Sequence, residues 1–161
     1  VKGHRTIAIL EVMWGDPPKT SMANPNYLAQ APRCFRINPQ NHSGRRLYTL
    51  LGHRNLLVTN ACPQLVDSSR GCGNPDAEWL KESLLELWPF DLLLVCGSVA
   101  QDTYGQIDLG YSCRTLYIPH PAARQWSRRD QSFAAAIIQE GKADLHLRFR
   151  NGRLRAQILT Q

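Results

Sequence analysis

Asn60, His120 and a carboxylate after the first apolar run, Asp16 or Glu11, are the residues whose types and placement could do chemistry together. Asn60 directly follows NLLVT. Its amide both donates and accepts, so it can read a carbonyl and an N–H of one ligand, although an Asn there also suits an Asx turn. His120 stands between two prolines in LYIPHPAARQW, residues 116–126. Each proline fixes its own φ and restricts the residue before it, which aims the imidazole rigidly. A structural histidine in a stiff turn is the competing reading. Asp16 precedes Pro17-Pro18 in an equally stiff run, where an Asp is also a common turn former.

These residues need elements to position them. Residues 6–12 (TIAILEV), 55–59 (NLLVT), 91–96 (DLLLVC) and 114–118 (RTLYI) read as strands. Between them, Ser43 could cap a helix carrying Leu47, Leu50 and Leu51. Asn74-Pro75 reads as a cap and first helical residue for a helix to Trp88, with Trp79, Leu80, Leu84 and Leu87 at helical spacing. Gly97-Ser98 opens a short helix through Tyr104. Asp130 caps another that contains Phe133, Ala134, Ile137 and Ile138. Leu145, Leu147 and Phe149 alternate with His146, Arg148 and Arg150, and Asn151-Gly152 supplies the turn of a C-terminal hairpin.

Strands alternating with helices predict one α/β domain over residues 1–161. A mostly parallel four-stranded sheet would lie between helix layers, with the β-hairpin added at the C-terminus. Ligands of such sheets bind beyond the carboxyl ends of the strands. Glu11, Asp16, Asn60, Gly97, Ser98 and His120 all fall at such ends.

The charge balance adds a partner. Nineteen Lys+Arg against thirteen Asp+Glu leave a net +6, and most of the cations are clustered arginines, whose forks suit phosphates. A solvated basic surface would look the same. No apolar stretch approaches the roughly 18 residues of a membrane span, and the N-terminus carries no signal-peptide pattern. A soluble, cytoplasmic monomer is the expectation. The five cysteines form no CxxC pair, so reduced thiols and no metal site are expected.

The ordered set "LLVTNACPQL", "EWLKESLLELWPFDLLLVCGSVAQ" and "YIPHPAAR" resembles the uracil-DNA glycosylase superfamily over about residues 6–138. The resemblance implies hydrolysis of the N-glycosidic bond of a base flipped out of DNA. His120 would hydrogen-bond the leaving base, Asn60 would read its edge, and a carboxylate would position water. Alignment on the proline gives Asp16, which is preferred because a loop residue can reach the cleft; alignment on strand length gives Glu11 as the second candidate. Pro121, Ala122, Ala123 and Arg124 would form the loop that enters the duplex, with Ser98 and Arg128 as further DNA contacts. Trp126 is a stacking candidate or a core residue.

Two departures from the family pattern matter. Uracil-specific members have Asp-Pro-Tyr where this chain has Asp16-Pro17-Pro18, and that tyrosine excludes bases substituted at C5. With Pro18 there and a long loop after it, Tyr27 and Phe35 could line a larger pocket. The close cysteine pair of the iron–sulfur branch is also missing, so no cluster and no other cofactor is expected. The expectation is a monofunctional glycosylase for a C5-modified pyrimidine, such as the glucosylated hydroxymethylcytosine of phage DNA, in antiviral defence. Uracil repair, a non-catalytic nucleic-acid-binding domain and a nucleoside hydrolase are the alternatives.

Overall fold

The computed structural model describes residues 5–14, 31–52, 55–66 and 73–159. The strands are β1 Arg5–Leu10, β2 Met13–Trp14, β3 Asn55–Asn60, β4 Leu65–Val66, β5 Leu92–Cys96, β6 Arg114–Ile118, β7 Leu145–Arg150 and β8 Arg153–Ile158. The helices are α1 His42–Leu51, α2 Ala77–Leu87, α3 Gly97–Tyr104 and α4 Arg128–Glu140.

The main sheet has the order β3-β1-β5-β6-β7-β8. Its first five strands are mutually parallel and β8 is antiparallel. Two short strands, β2 and β4, pair in parallel just past the ends of β1 and β3. The expected α/β class and parallel core are present, but the expected four-stranded sheet is a six-stranded one. The hairpin is not an appendage: β7 pairs with β6 at Leu116↔Leu145 and Tyr117↔His146. Side chains before β7 explain this docking. Asp144 accepts from the Thr115 amide at 2.9 Å, and the Arg114 guanidinium donates to the carbonyls of Ile137, Ile138 and Ala143. Alternation along residues 145–150 betrays a hairpin but not the strand that it joins.

Side chains of successive strand residues point to opposite faces. Ala8, Leu10, Leu94 and Leu116 therefore pack with Leu47, Leu50 and Leu51 of α1, with Ala134 and Ile138 of α4, and with Trp126. Ile7, Ile9, Leu93 and Val95 face the other way, onto Leu80, Leu84 and Leu87 of α2 and Ala100 of α3. Of the apolar residues of α4, Phe133 is exposed, and Ala134 and Ile138 are buried.

Three helix starts differ from the sequence reading because the capping side chain lies beside the expected one. Asn41, not Ser43, accepts from the Gly44 amide. Asp76 caps α2 at Trp79, two residues past Asn74. Ser127 caps α4 and forms a reciprocal box with Asp130, which sits three residues inside.

Asp130 also accepts from the Leu154 amide at 3.2 Å, tying α4 to the hairpin. Burial pushes its carboxyl up. The Ser127 hydroxyl and the Leu154 and Ser127 amides outweigh burial and hold it below its usual value. A depressed carboxyl stabilises the fold above its unfolded pKa, and that stability is lost as pH falls through the folded value. Asp130→Asn should therefore cost about 1–2 kcal/mol at pH 7 in denaturant unfolding. The difference should close in acid; a gap that persisted there would show that the charge is not the cause.

Candidate active site

Because β3, β1, β5 and β6 run parallel, their carboxyl ends lie along one edge of the sheet. Leu10 pairs with Asn60, so Glu11 emerges beside the last residue of β3. Cys96 pairs with Ile118, so Gly97 and the Pro119-His120 turn emerge together. A cavity of about 200 Å³ opens at this edge, lined by Glu11, Phe35, Ile37, Asn60, His120 and Ala122 among others. A dry cavity of roughly 150 Å³ holds benzene, so this one has room for a single heterocycle.

Asn60 is fully buried, and among the described residues neither its Oδ1 nor its Nδ2 has a hydrogen-bond partner. A buried polar group left unpaired costs about 1–3 kcal/mol. Here an acceptor and two donors are held unpaired at the wall of a ring-sized cavity. The amide is poised for a ligand that both donates and accepts.

His120 is oriented through its Nδ1 and its carbonyl. Its Nδ1 accepts from the Ala122 amide at 3.0 Å. A backbone N–H can only donate, so the neutral ring carries its proton on Nε2, as a donor. The His120 carbonyl accepts from the Ala123 amide at 2.9 Å and from the Trp126 indole at 3.0 Å. Arg46 of α1 donates to the carbonyls of Pro121, at 2.6 Å, and Ala123, and lies over the Trp126 ring at 5.8 Å. Such a cation–ring pair adds about 0.5–2 kcal/mol when partly desolvated. Gln101 of α3 bridges the carbonyls of Val95 and Ile118, locking together the strand ends that carry Gly97 and His120. Gly97 has φ +86°, and a Cβ there would meet the His120 Cβ at 3.3 Å, so a side chain would be strained and would crowd the imidazole.

Burial pulls the His120 pKa below its usual value, and His42 at the start of α1 pulls it the same way. The amino end of α1, through Asn41 and Ser43, also lines the cavity. Its first turn carries no acidic residue, so the helix itself puts no charge against its positive end. The cavity thus brings together a neutral N–H donor, the amino end of α1 and the Glu11 carboxylate; the first two suit negative charge developing on a bound ring. Among the described residues, Cys62 and Cys96 are buried, and burial pushes the Cys96 and Cys113 thiols up, which makes them poor nucleophiles.

The structure brings Glu11, Phe35, Asn60 and His120 to one cavity, with Ala122 on its rim. Phe35 is held there by two backbone hydrogen bonds to Val58, so part of the long polar loop runs beside β3. Asp16, Pro18 and Tyr27 lie outside the described residues, and Glu11 is the carboxylate that the described residues place at the cavity. Ser98, Arg124 and Arg128 are exposed near this edge but do not line the cavity, and Ala123 is half-buried. Pro121 is buried, its carbonyl held by Arg46, which leaves Ala122 and Arg124 as the exposed part of that turn. Trp126 is core: it is 6% exposed and packs edge-on against Phe149. Sequence reading missed Arg46 and Gln101, because side chains that donate to carbonyls from another element leave no local spacing. Compared with known proteins, the chain matches no family model and no curated protein.

The Nε2–H tautomer and the lowered pKa are directly measurable. Imidazole nitrogen shifts from NMR should show His120 neutral and protonated on Nε2 at pH 7, titrating below the ordinary value of about 6.5. Arg46→Met should mobilise the turn and move that titration toward the ordinary value. A midpoint at or above 6.5 in the unaltered protein would contradict the buried placement.

Proposed function

We propose that this protein is a DNA glycosylase that hydrolyses the N-glycosidic bond of a flipped-out pyrimidine. One observation carries the reading: a fully buried Asn60 amide without partners shares a ring-sized cavity with a His120 whose Nε2–H is fixed as donor. A pyrimidine edge presents the acceptor and donor groups that such an amide needs. The ordered motifs in the sequence support the same reading.

The chemistry follows from the charges. As the bond between the sugar's C1′ and the base nitrogen breaks, its electron pair moves to the base. The base becomes anionic while the sugar becomes an oxocarbenium-like cation. His120 donates from Nε2 to a base carbonyl, and the α1 end adds a positive field, so both favour the transition state over the bound substrate. Water adds to C1′ and loses its proton to a carboxylate. Glu11, which lines the cavity, takes this role in the present reading, and Asp16, preferred from the sequence, is the alternative. Phe35 at the cavity wall is available to stack on the ring. The base must leave the duplex because its anomeric carbon is unreachable within the stack, at a cost of a few kcal/mol. The run Asp16-Pro17-Pro18, with no tyrosine after the first proline, favours a base enlarged at C5, glucosylated hydroxymethylcytosine among them, and a role in defence rather than uracil repair.

Duplexes containing uracil, a thymine mismatch, hydroxymethylcytosine or glucosylated hydroxymethylcytosine, treated with protein and then alkali, test this. Strand breakage at a C5-modified base is expected. Breakage at uracil alone would assign the protein to uracil excision, and no breakage at any would sink the glycosylase reading. His120→Ala should slow breakage by about 100- to 1000-fold without loss of folding, as removal of a transition-state donor does. Glu11→Gln decides between the carboxylates: unchanged breakage would pass the role to Asp16.

A further inference from the structure

The C-terminal hairpin carries an array of arginines that the cavity does not use. In its register Arg148 stands directly opposite Arg155, and Arg150 directly opposite Arg153. Directly opposed residues point to the same face, and positions two apart along a strand share that face. The four guanidinium groups therefore form a two-by-two block, and all four residues are exposed. Their Cα atoms are about 5.5 Å apart across the strands and roughly 6.8 Å apart along them. Leu147, Phe149 and Leu154, on the other face, pack into the core.

Like charges directly opposite each other in a sheet are destabilising. Among the described residues no carboxylate pairs with any of the four; the ion pairs there join Arg33 to Glu82 and Glu86. The hairpin thus holds two unfavourable rungs with no ion pair of their own among the described residues; the Asp130 carboxylate lines a hollow with Arg153 and Arg155 and is bound to the Leu154 amide. Arg148, Arg150 and Arg155 also line a shallow polar hollow with Asn151 and Gln157. The position is informative as well. β7 pairs with β6 only as far as His146, yet continues to Arg150. Its last three residues therefore run past Ile118, the end of β6, by roughly 10 Å at 3.4 Å per residue, alongside the turn that carries His120.

We propose that this arginine block is a nucleic-acid phosphate-binding surface that holds the backbone flanking the cavity. The choice of nucleic acid as the polyanion rests on the reading of the cavity given above. Arginine forks bind phosphate oxygens bidentately, and a block of four at this spacing can follow consecutive phosphates of one strand. Bound phosphates supply the counter-charge that the fold leaves out. Contacts of this kind fix register without reading sequence, which leaves base choice to the cavity.

Salt dependence isolates this surface. Binding of an unmodified fluorescent DNA duplex would be followed by anisotropy from about 50 to 200 mM salt. Each phosphate contact adds about 0.9 to the slope of log affinity against log salt, so four contacts make about 100-fold of the loss over that range. Replacing all four arginines by Gln should remove that share, and replacing them by Lys should keep the slope. The Gln variant loses only repulsion within the fold, so its thermal midpoint should hold or rise. Unchanged affinity and slope in the Gln variant would overturn the proposal, and added self-association would then mark the arginines as a guard on the β8 edge. His120→Ala separates the two readings, since it should bind with the parental slope. A hairpin-dependent slope in a protein that breaks no duplex would keep the surface and remove the glycosylase.

Discussion

Parallel pairing of β3, β1, β5 and β6 is the constraint on which the site depends. Parallel strands need a crossover between them, and each crossover here is a helix laid on one face. All four strands consequently finish at one edge, where Asn60, Glu11, Gly97 and His120 arrive from distant parts of the chain. A slip of one residue between β1 and β3 would turn Asn60 from the α1 face to the opposite one. The fully buried runs of Ile7–Leu10 and Leu92–Cys96 prevent this, because either face would then present its residues to the wrong helices. Core packing and site assembly are thus the same constraint seen at two depths of the sheet.

Within that frame the protein treats its two main polar groups in opposite ways. The His120 turn is hydrogen-bonded through Ala122, Ala123, Trp126 and Arg46. Asn60, in the wall of the same cavity, has no partner among the described residues. Saturating the histidine turn leaves one tautomer and one orientation. Withholding partners from the asparagine leaves binding capacity that only a ligand can satisfy. Burial serves both ends: it keeps the imidazole neutral, so that it donates from Nε2, and it strengthens any hydrogen bond made to the amide.

Much of this site was legible in the order of residues, and the illegible part has a common physical cause. Asn60 and His120 announce themselves because strand ends are marked by local signals: an apolar run, then a polar residue or a proline. Gly97 is legible for the same reason. Arg46 was not, since it appeared as one member of a basic pair while its guanidinium reaches carbonyls 75 and 77 residues away. Trp126 left both surface and core open, and only the approach of α1 and β7 buries it. The six-stranded width was hidden likewise, because residues 145–150 alternate correctly for a hairpin whether or not β6 accepts them.

By itself the sequence determined the α/β alternation, the parallel core, the Asn151-Gly152 turn and which strand ends carry polar groups. These follow from apolar periodicity and from the φ preferences of proline, glycine and asparagine, which act within a few residues of chain. The tertiary structure decided the rest: that Asn60 has no partner, that His120 carries its proton on Nε2, that Arg46 and Trp126 clamp the turn, and that the arginine hairpin projects from the site edge. Each of these depends on which atoms remain within about 3 Å once distant segments pack, since hydrogen bonds fall off steeply beyond that reach. Local preferences set the elements, and the partners of their polar atoms exist only after assembly.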